Sequence, residues 1–210
     1  MIRDFSDIAL RLAETSRGFY ARGWVLGTSG NFSAVLTRAP LRLAITASGV
    51  DKGDLTADHI LQIDGHAHVL REAQDHPSDE SLLHIQVVRT RGAGAVLHTH
   101  SIWGTIVSDL HGPEGGVAIE GYEMLKGLHG VTTHRHREWL PILENAQEME
   151  LLARRVDETL RQQPNTHGFL LRRHGLYTWG EDLAQAKRHI EILEFLLEAI
   201  GRSRFQQGHN

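Results

Sequence analysis

Hydrophobic positions along the chain repeat at two spacings, and each spacing predicts one kind of element. Near the start, apolar residues recur every three or four positions and predict a first helix; these residues are Phe5, Ile8, Ala9, Leu12 and Ala13. A second helix is expected to open at 77–80 with Ser78 as its cap, a third to start at Asn145, and a long closing helix to end at Gly201. Residues 202–210 are expected to form a flexible tail.

Apolar runs between the helical patterns predict strands. The segments are LRLAITA (41–47), HILQIDGHAHVL (59–70), GAVLHTH (94–100) and HGFLLRRHGLYTWG (167–180). The second is typical of a hairpin with Asp64-Gly65 at its tip, and the fourth of two strands joined by a turn. Because strands and helices alternate from end to end, the sequence predicts one α/β domain over residues 1–210.

Composition narrows the classes of function. A chain of 210 residues with 40% hydrophobic residues can bury a core without disulfides, and it has no cysteine. Its net charge of −4 comes with mixed signs and no basic tract, so nucleic acid and anionic membranes are not expected partners. No apolar run approaches the ~20 residues of a membrane helix, and the N-terminus does not resemble a signal peptide. A cytoplasmic protein is therefore expected, and any metal site in it must use histidine and carboxylate ligands.

Two histidines close the predicted strand at 94–100. His98 and His100 are two residues apart, so on extended backbone both rings lie on one face and can reach a single ion. Neutral imidazole suits Zn²⁺, with Fe²⁺, Mn²⁺ and Co²⁺ as rivals. His174 also follows an apolar strand and is the candidate third ligand, and Gly175 is expected to let the backbone turn sharply beside it. Three histidines would leave one coordination position for water or substrate.

Other histidine pairs share this spacing, because the chain has 15 histidines. His66 and His68 lie just past the expected hairpin tip, and His134 and His136 lie among charged residues. We interpret both pairs as part of the solvated surface.

Two carboxylates and two small-residue loops are candidates to complete a site around His98 and His100. Glu80 and Glu123 could each place a carboxylate beside a metal. The loops GTSGNFS and TASG offer backbone amides and hydroxyls of the kind that hold a phosphate, although neither matches a nucleotide-binding motif. Each feature alone is also compatible with an ordinary turn or helix start.

Together these features make the chain resemble the class II aldolase/adducin family from about Phe5 to Ile200. The segments that carry the resemblance are GTSGNFS, ITASGVDKGDL, PSDESLLH, RGAGAVLHTHS and LLRRHGLYTWGEDLAQAKRHIE, in that order. Their combination is far more specific than any one of them. The resemblance implies a three-layer α/β/α fold around a central mixed, largely antiparallel sheet.

The resemblance also implies a set of site residues. A divalent metal, usually zinc, would be bound by His98, His100 and His174. The positions that align with the phosphate pocket are Asn31, Ser48, Gly49 and Ser78. Glu80 falls where the aldolases carry their acid/base glutamate, whereas Glu123, in the segment EMLKG, falls where the family's dehydratases carry theirs.

Within the family, the segments GAGAVLHTHS, EMLKGL and RRHGLYTWG favour dehydration. The activity implied is the metal-dependent conversion of 5-methylthioribulose 1-phosphate to 2,3-diketo-5-methylthiopentyl 1-phosphate in methionine salvage. Glu123 is the expected acid/base group, with a raised pKa, and Glu80 is expected to assist. A fuculose- or ribulose-phosphate type of sugar-phosphate aldolase is the alternative. A non-catalytic adducin-like interaction module would be expected to lack the three histidines. The family also implies a homotetramer with active sites near subunit contacts.

Overall fold

The structure is a computed structural model that describes residues 4–71 and 74–207. Within those ranges the helices are α1 (Phe5–Ala21), α2 (Ser81–Arg91), α3 (Ile102–Leu110), α4 (Met149–Gln162) and α5 (Leu183–Gln207). The strands are β1 (Asn31–Arg38), β2 (Leu41–Thr46), β3 (Ile60–Asp64), β4 (Ala95–Thr99), β5 (Gly116–Ile119), β6 (Glu138–Leu143), β7 (Gly168–Leu171) and β8 (Gly175–Gly180). None of the described helices is long and apolar enough to cross a bilayer.

All eight strands join one sheet in the order β3-β2-β1-β4-β8-β7-β6-β5. Neighbouring strands are antiparallel except for β6 and β7, which are parallel. The first four strands of the chain therefore form one half of the sheet and the last four the other half. The halves meet where β4 pairs with β8, and this pairing places His98 opposite Tyr177 and Thr99 opposite Leu176.

Helices cover both faces of the sheet. On β4, Ala95 and Leu97 pack into the core beneath α1, α3 and α5, whereas Val96 packs into the core beneath α2 and α4. This alternation follows from the two-residue period of a strand that is buried on both faces. Each fully buried leucine or valine contributes roughly 1.5–3 kcal/mol, so the two cores hold the sheet as a rigid platform. The predicted three-layer α/β fold with a mixed, largely antiparallel sheet is confirmed.

Two predicted helix starts are wrong. The backbone of Pro77 is held in extended pairing with Ala47, so α2 begins only at Ser81, and Ser78 does not cap it. Strand β6 keeps the chain extended as far as Leu143, and α4 starts at Met149, later than the predicted Asn145.

The closing helix does not end at Gly201. Helix α5 continues to Gln207, so most of the expected flexible tail is helical, and residues 208–210 lie outside the described residues. A Cβ at Gly201 would lie 2.3 Å from Cε3 of Trp103. This glycine therefore allows α3 to pack closely against α5 and does not act as a helix stop.

Candidate active site

The three histidines predicted as metal ligands lie together at the seam between β4 and β8. His98 is the fourth residue of β4, His100 follows that strand, and His174 directly precedes β8. The Nε2 atoms of His98 and His100 are 2.8 Å apart, those of His100 and His174 3.1 Å, and those of His98 and His174 3.4 Å. The antiparallel pairing of β4 with β8 brings these rings together although 74 residues separate His100 from His174.

Glu80 joins this group of histidines. Its Oε1 lies 3.2 Å from Nε2 of His174 and 3.7 Å from Nε2 of His98. One donor atom from each of the four side chains falls within 4.8 Å of the other three. Three imidazole nitrogens and one carboxylate oxygen are a donor set suited to a divalent transition metal.

Burial and hydrogen bonding leave the Nε2 atoms available as ligands. The Nδ1 of His98 bonds to the carbonyl oxygen of Leu176 at 3.0 Å, so its Nε2 faces the cluster. Burial lowers the pKa of His98 and of His174, and lowers the pKa of His100 to about 3. The rings are therefore neutral at pH 7, which is the form that binds metal. Buried Nδ1 of His174 has no hydrogen-bond partner among the described residues.

A chain of buried polar groups supports Glu80. The side-chain amide of Asn31 donates to Oε2 of Glu80 at 2.6 Å, and its carbonyl oxygen pairs with Nε2 of His84 at 2.5 Å. The other ring nitrogen of His84 pairs with the hydroxyl of Ser33 at 2.8 Å. Burial lowers the pKa of His84 to about 3, so its ring is neutral and donates through Nε2 to Asn31. Both polar ends of the Asn31 amide are thus engaged within the protein.

The turn that carries His174 differs from the one expected. Arg173, not Gly175, adopts the left-handed conformation, with a φ of 56°. Gly175 is required for another reason, because a Cβ there would lie 1.9 Å from the carbonyl oxygen of Thr99. The backbone of β8 approaches β4 this closely only where a side chain is absent, and this approach sets His174 beside His100.

Two adjoining cavities open beside the cluster and share Ser48, Ser78 and Glu80 in their walls. The larger, of about 260 Å³, extends to His174, and the smaller, of about 130 Å³, extends to His100. Three of the four residues predicted to bind phosphate line the smaller cavity: Asn31, Ser48 and Ser78. Gly49, the fourth, follows Ser48 in the chain with a φ of 75° and is not part of the wall.

Sequence reasoning missed Lys52, which also lines the smaller cavity. Its residue surface is 1% exposed, and its Nζ donates to the carbonyl oxygens of Thr28 and Val50 at 2.9 and 3.0 Å. Burial lowers the pKa of Lys52 to about 8, so the amine still carries a proton near neutral pH. The sequence shows Lys52 only as a single lysine within ITASGVDKGDL, and nothing in that segment indicates that its side chain is buried.

Glu123 is not part of the histidine cluster. It begins a 3₁₀ turn, Glu123–Gly127, whose Leu125 packs into the core beneath α5, on the face of the sheet opposite α2. Its side chain is 71% exposed and lies 2.6 Å from Nζ of Lys126 and 3.5 Å from Nδ1 of His134. The Lys126 hydrogen bond holds the pKa of Glu123 below its ordinary value, in contrast to the raised pKa expected of a general acid.

Of the two histidine pairs interpreted as surface, one is exposed throughout. His66 and His68 both lie on the surface, as predicted. His134 is exposed, but the His136 ring is only 28% exposed and lies against the buried carboxylate of Glu138. His136 is therefore only partly solvated, because one side of its ring contacts Glu138, whose burial could not be deduced from the sequence.

Comparison with known proteins assigns the chain to a family. The sequence matches the class II aldolase and adducin N-terminal domain over residues 10–200. The chain belongs to the class II aldolase/adducin family, as its motifs predicted.

Within that family, several similar sequences carry the same name. The chain is 43% identical over 195 residues to methylthioribulose-1-phosphate dehydratase from Sorangium cellulosum. The aligned residues cover 92% of this chain and 91% of that one. It is 42% identical over 193 residues to the enzyme of the same name from Stenotrophomonas maltophilia, with coverage of 91% and 89%. Among solved structures, L-fuculose-1-phosphate aldolase from Thermus thermophilus superposes with a TM-score of 0.74 at 25% identity, covering 97% of this chain and 98% of that one.

Proposed function

We propose that this chain is a hydro-lyase that dehydrates 5-methylthioribulose 1-phosphate to 2,3-diketo-5-methylthiopentyl 1-phosphate, a reaction of methionine salvage. The observation that carries the proposal is the cluster of His98, His100, His174 and Glu80 in a chain 43% identical, over nearly its full length, to a dehydratase of that name. The cavities beside the cluster give a phosphorylated sugar a place to bind.

The metal in this proposal is held by His98, His100 and His174. Their neutral rings, and the fixed orientation of His98 through Leu176, suit a divalent cation, and zinc is the ion proposed. When bound, such a cation supplies Lewis-acid polarisation of the substrate's carbonyl and hydroxyl oxygens. The protein keeps the site dry on the β8 side, because the ring of Tyr177 stacks on that of His98 with centroids 3.8 Å apart.

Glu80 is the carboxylate placed to move protons near the substrate. Its Oε2 is fixed by Asn31 and its Oε1 faces the cluster, so in this proposal Oε1 is the oxygen that accepts a proton from the substrate carbon or returns one to it. Asn31 therefore serves as a positioning group for Glu80 in this scheme, besides lining the cavity proposed for phosphate.

Phosphate recognition falls to the smaller cavity. Ser48 and Ser78 offer hydroxyl groups there, and the buried Lys52 ammonium supplies a positive charge. The backbone amide of Gly49, the residue after Ser48, is a further proposed donor to the phosphate. A phosphate dianion is attracted to that charge, and the short polar side chains give it hydrogen bonds. The cavity thus anchors one end of the substrate while the reacting carbons lie toward His100.

In this proposal Glu123 contributes to catalysis only when several copies of the chain assemble. It is exposed and lies on the opposite face of the sheet from the cluster, so the Glu123 carboxylate acts at the active site of a second copy within a homotetramer. Contact with that site removes it from solvent and from Lys126, which would raise its pKa toward the value that a general acid needs.

A direct product assay tests the reaction. The untagged protein, loaded with zinc, is incubated separately with 5-methylthioribulose 1-phosphate and with L-fuculose 1-phosphate, and products are identified by mass spectrometry. Formation of the diketone with loss of water from the first substrate is the expected outcome. Release of an aldehyde from the second, with no dehydration of the first, would establish an aldolase instead. Absence of both reactions in the metal-loaded protein would contradict the proposal of an enzyme.

A further inference from the structure

We propose that His136, Glu138 and His167 form a second divalent-metal site, separate from the cluster at the seam of β4 and β8. Glu138 is the first residue of β6 and His136 lies two residues before it, whereas His167 directly precedes β7, the parallel neighbour of β6. One donor atom from each side chain falls within 4.8 Å of the other two, as in the first cluster.

Glu138 forms the centre of this second site. Its side chain is 1% exposed, and its Oε2 lies 2.8 Å from Nε2 of His136 and 2.9 Å from Nδ1 of His167. The other oxygen, Oε1, accepts the backbone N–H of His167 at 2.8 Å. One carboxylate oxygen is therefore fixed by the backbone, and the other points between two imidazole nitrogens. A buried carboxylate is costly unless it is paired. Two imidazoles already contact this one, and a cation bound among the same donors would take over that pairing.

The His167 ring is held as metal-binding histidines commonly are. Its Nε2 pairs with the carbonyl oxygen of His129 at 2.8 Å, which makes Nε2 the donor and directs Nδ1 at Glu138. The same device orients His98 in the first cluster, with the two ring nitrogens exchanged. Metal binding at Nδ1 would leave the bond to His129 intact. Only the protons that face Glu138 would leave for solvent.

The donor spacing is close to that of a zinc site. Tetrahedral ligands at roughly 2.0–2.1 Å from zinc are about 3.4 Å apart, so each imidazole nitrogen needs to separate from Oε2 of Glu138 by about half an ångström. In the first cluster the Nε2 atoms are also as close as 2.8 Å. His136 lies in a turn and its ring is 28% exposed, so its side chain has room to make this adjustment.

An open cavity gives the site access to solvent. His136 and His167 line a cavity of about 570 Å³, which His129 and His189 also border. Three protein ligands leave a tetrahedral ion one further position, and water in this cavity can occupy it. The arrangement provides both an entry path and the remaining ligand.

Metal stoichiometry tests this second site. The full-length protein without a histidine tag is stripped with a chelator, dialysed against zinc and analysed by elemental mass spectrometry. We expect about two zinc ions per chain for the wild type and about one for His136→Ala/His167→Ala. The variant His98→Ala/His100→Ala, which lacks two ligands of the first cluster, should also hold about one. The double variant His66→Ala/His68→Ala is the matched control, because that pair is exposed and outside both clusters, and it should retain both ions.

Cobalt substitution keeps the proposal testable if His136→Ala/His167→Ala fails to fold. In His98→Ala/His100→Ala, cobalt should give the visible absorption of a tetrahedral site, and adding Glu138→Gln should abolish it. A wild type that binds a single ion, lost with His98 and His100, would overturn the proposal. So would a second ion that persists in His136→Ala/His167→Ala. Either result would make this cluster a hydrogen-bonded network of imidazoles around a carboxylate.

Discussion

The Asn31 amide donates a hydrogen bond to Oε2 of Glu80 at 2.6 Å, and Asn31 also pairs directly with His98 across β1 and β4. One residue therefore aligns the proposed proton-transfer group with a proposed metal ligand. His84 holds the other end of the same amide, so Asn31 has little freedom to rotate. The relationship assigns Asn31 a positioning role that can be separated from phosphate binding.

Replacing Asn31 by leucine keeps its size and removes both hydrogen bonds. If Asn31 positions Glu80, we expect kcat to fall about 10- to 100-fold with little change in KM or zinc content. Steady-state kinetics and metal analysis measure this. Ser33→Ala, at the far end of the same chain of hydrogen bonds, should have a smaller effect. A large rise in KM with unchanged kcat would instead assign Asn31 to phosphate binding.

Mixing two inactive variants tests whether Glu80 and Glu123 act from different copies. Glu80→Gln and Glu123→Gln should each lose most activity while keeping their fold and zinc. If each site takes Glu80 from one copy and Glu123 from its neighbour, random mixing of the variants restores about a quarter of the sites. Activity after the variants are unfolded and refolded together measures this recovery. Full activity of Glu123→Gln alone would remove Glu123 from the mechanism.

Gly175→Ala should disturb both the fold and the metal site. The added Cβ would lie 1.9 Å from the Thr99 carbonyl oxygen, and backbone on both sides restricts any shift. We expect the free energy of unfolding to drop by about 3 kcal/mol and zinc affinity to weaken, because His174 moves away from His100. Gly18→Ala in α1 is the matched control, since a Cβ there meets nothing within 4 Å; it should stabilise the protein by roughly 0.5–1 kcal/mol. Denaturant titrations compare the two, and equal stability for both variants would contradict the packing argument.

Glu194 on α5 should make stability depend on pH. It is fully buried, accepts a hydrogen bond from the Thr99 hydroxyl, and burial raises its pKa to about 7. Because the folded chain favours the neutral acid, the stabilising contribution is complete below about pH 4 and is lost as pH rises through about 7. Between those limits the wild type should lose about 3 kcal/mol of unfolding free energy relative to Glu194→Gln.

Unfolding measured across that pH range tests this expectation. Glu158→Gln on α4, where the side chain is exposed, is the control and should follow the wild-type profile. A constant difference between Glu194→Gln and the wild type would show that Glu194 is already ionised in the folded chain.

The fold class and the three candidate histidine ligands could be predicted from sequence because each depends on a local pattern. The two-residue period of extended backbone places His98 and His100 on one face, and the apolar run before His174 marks a second strand end. That these two strands are neighbours was not predicted, since the pairing between β4 and β8 is a long-range property. No strand was predicted where β5 and β6 lie, because both are short and separated by turns.

Burial of charged and polar residues was the information that the sequence lacked. Lys52 looks like one lysine in a polar turn, and Glu138 like one acid among basic residues, yet both are about 1% exposed. Likewise Gly201 looks like a helix end, although its role is set by Trp103 on another helix. In each case the role of the residue depends on a contact with a segment distant in the chain. The spacing of hydrophobic residues carries no information about such contacts.

The seam between β4 and β8 has a mechanical consequence. It joins the half of the sheet built from the first four strands to the half built from the last four, and the histidine cluster spans it. An ion bound by His98 and His100 on one side and His174 on the other would cross-link these halves. Separating the two halves would then require breaking the bonds between the ion and its ligands. Loss of the ion would therefore remove both the activity and this resistance of the sheet to mechanical separation.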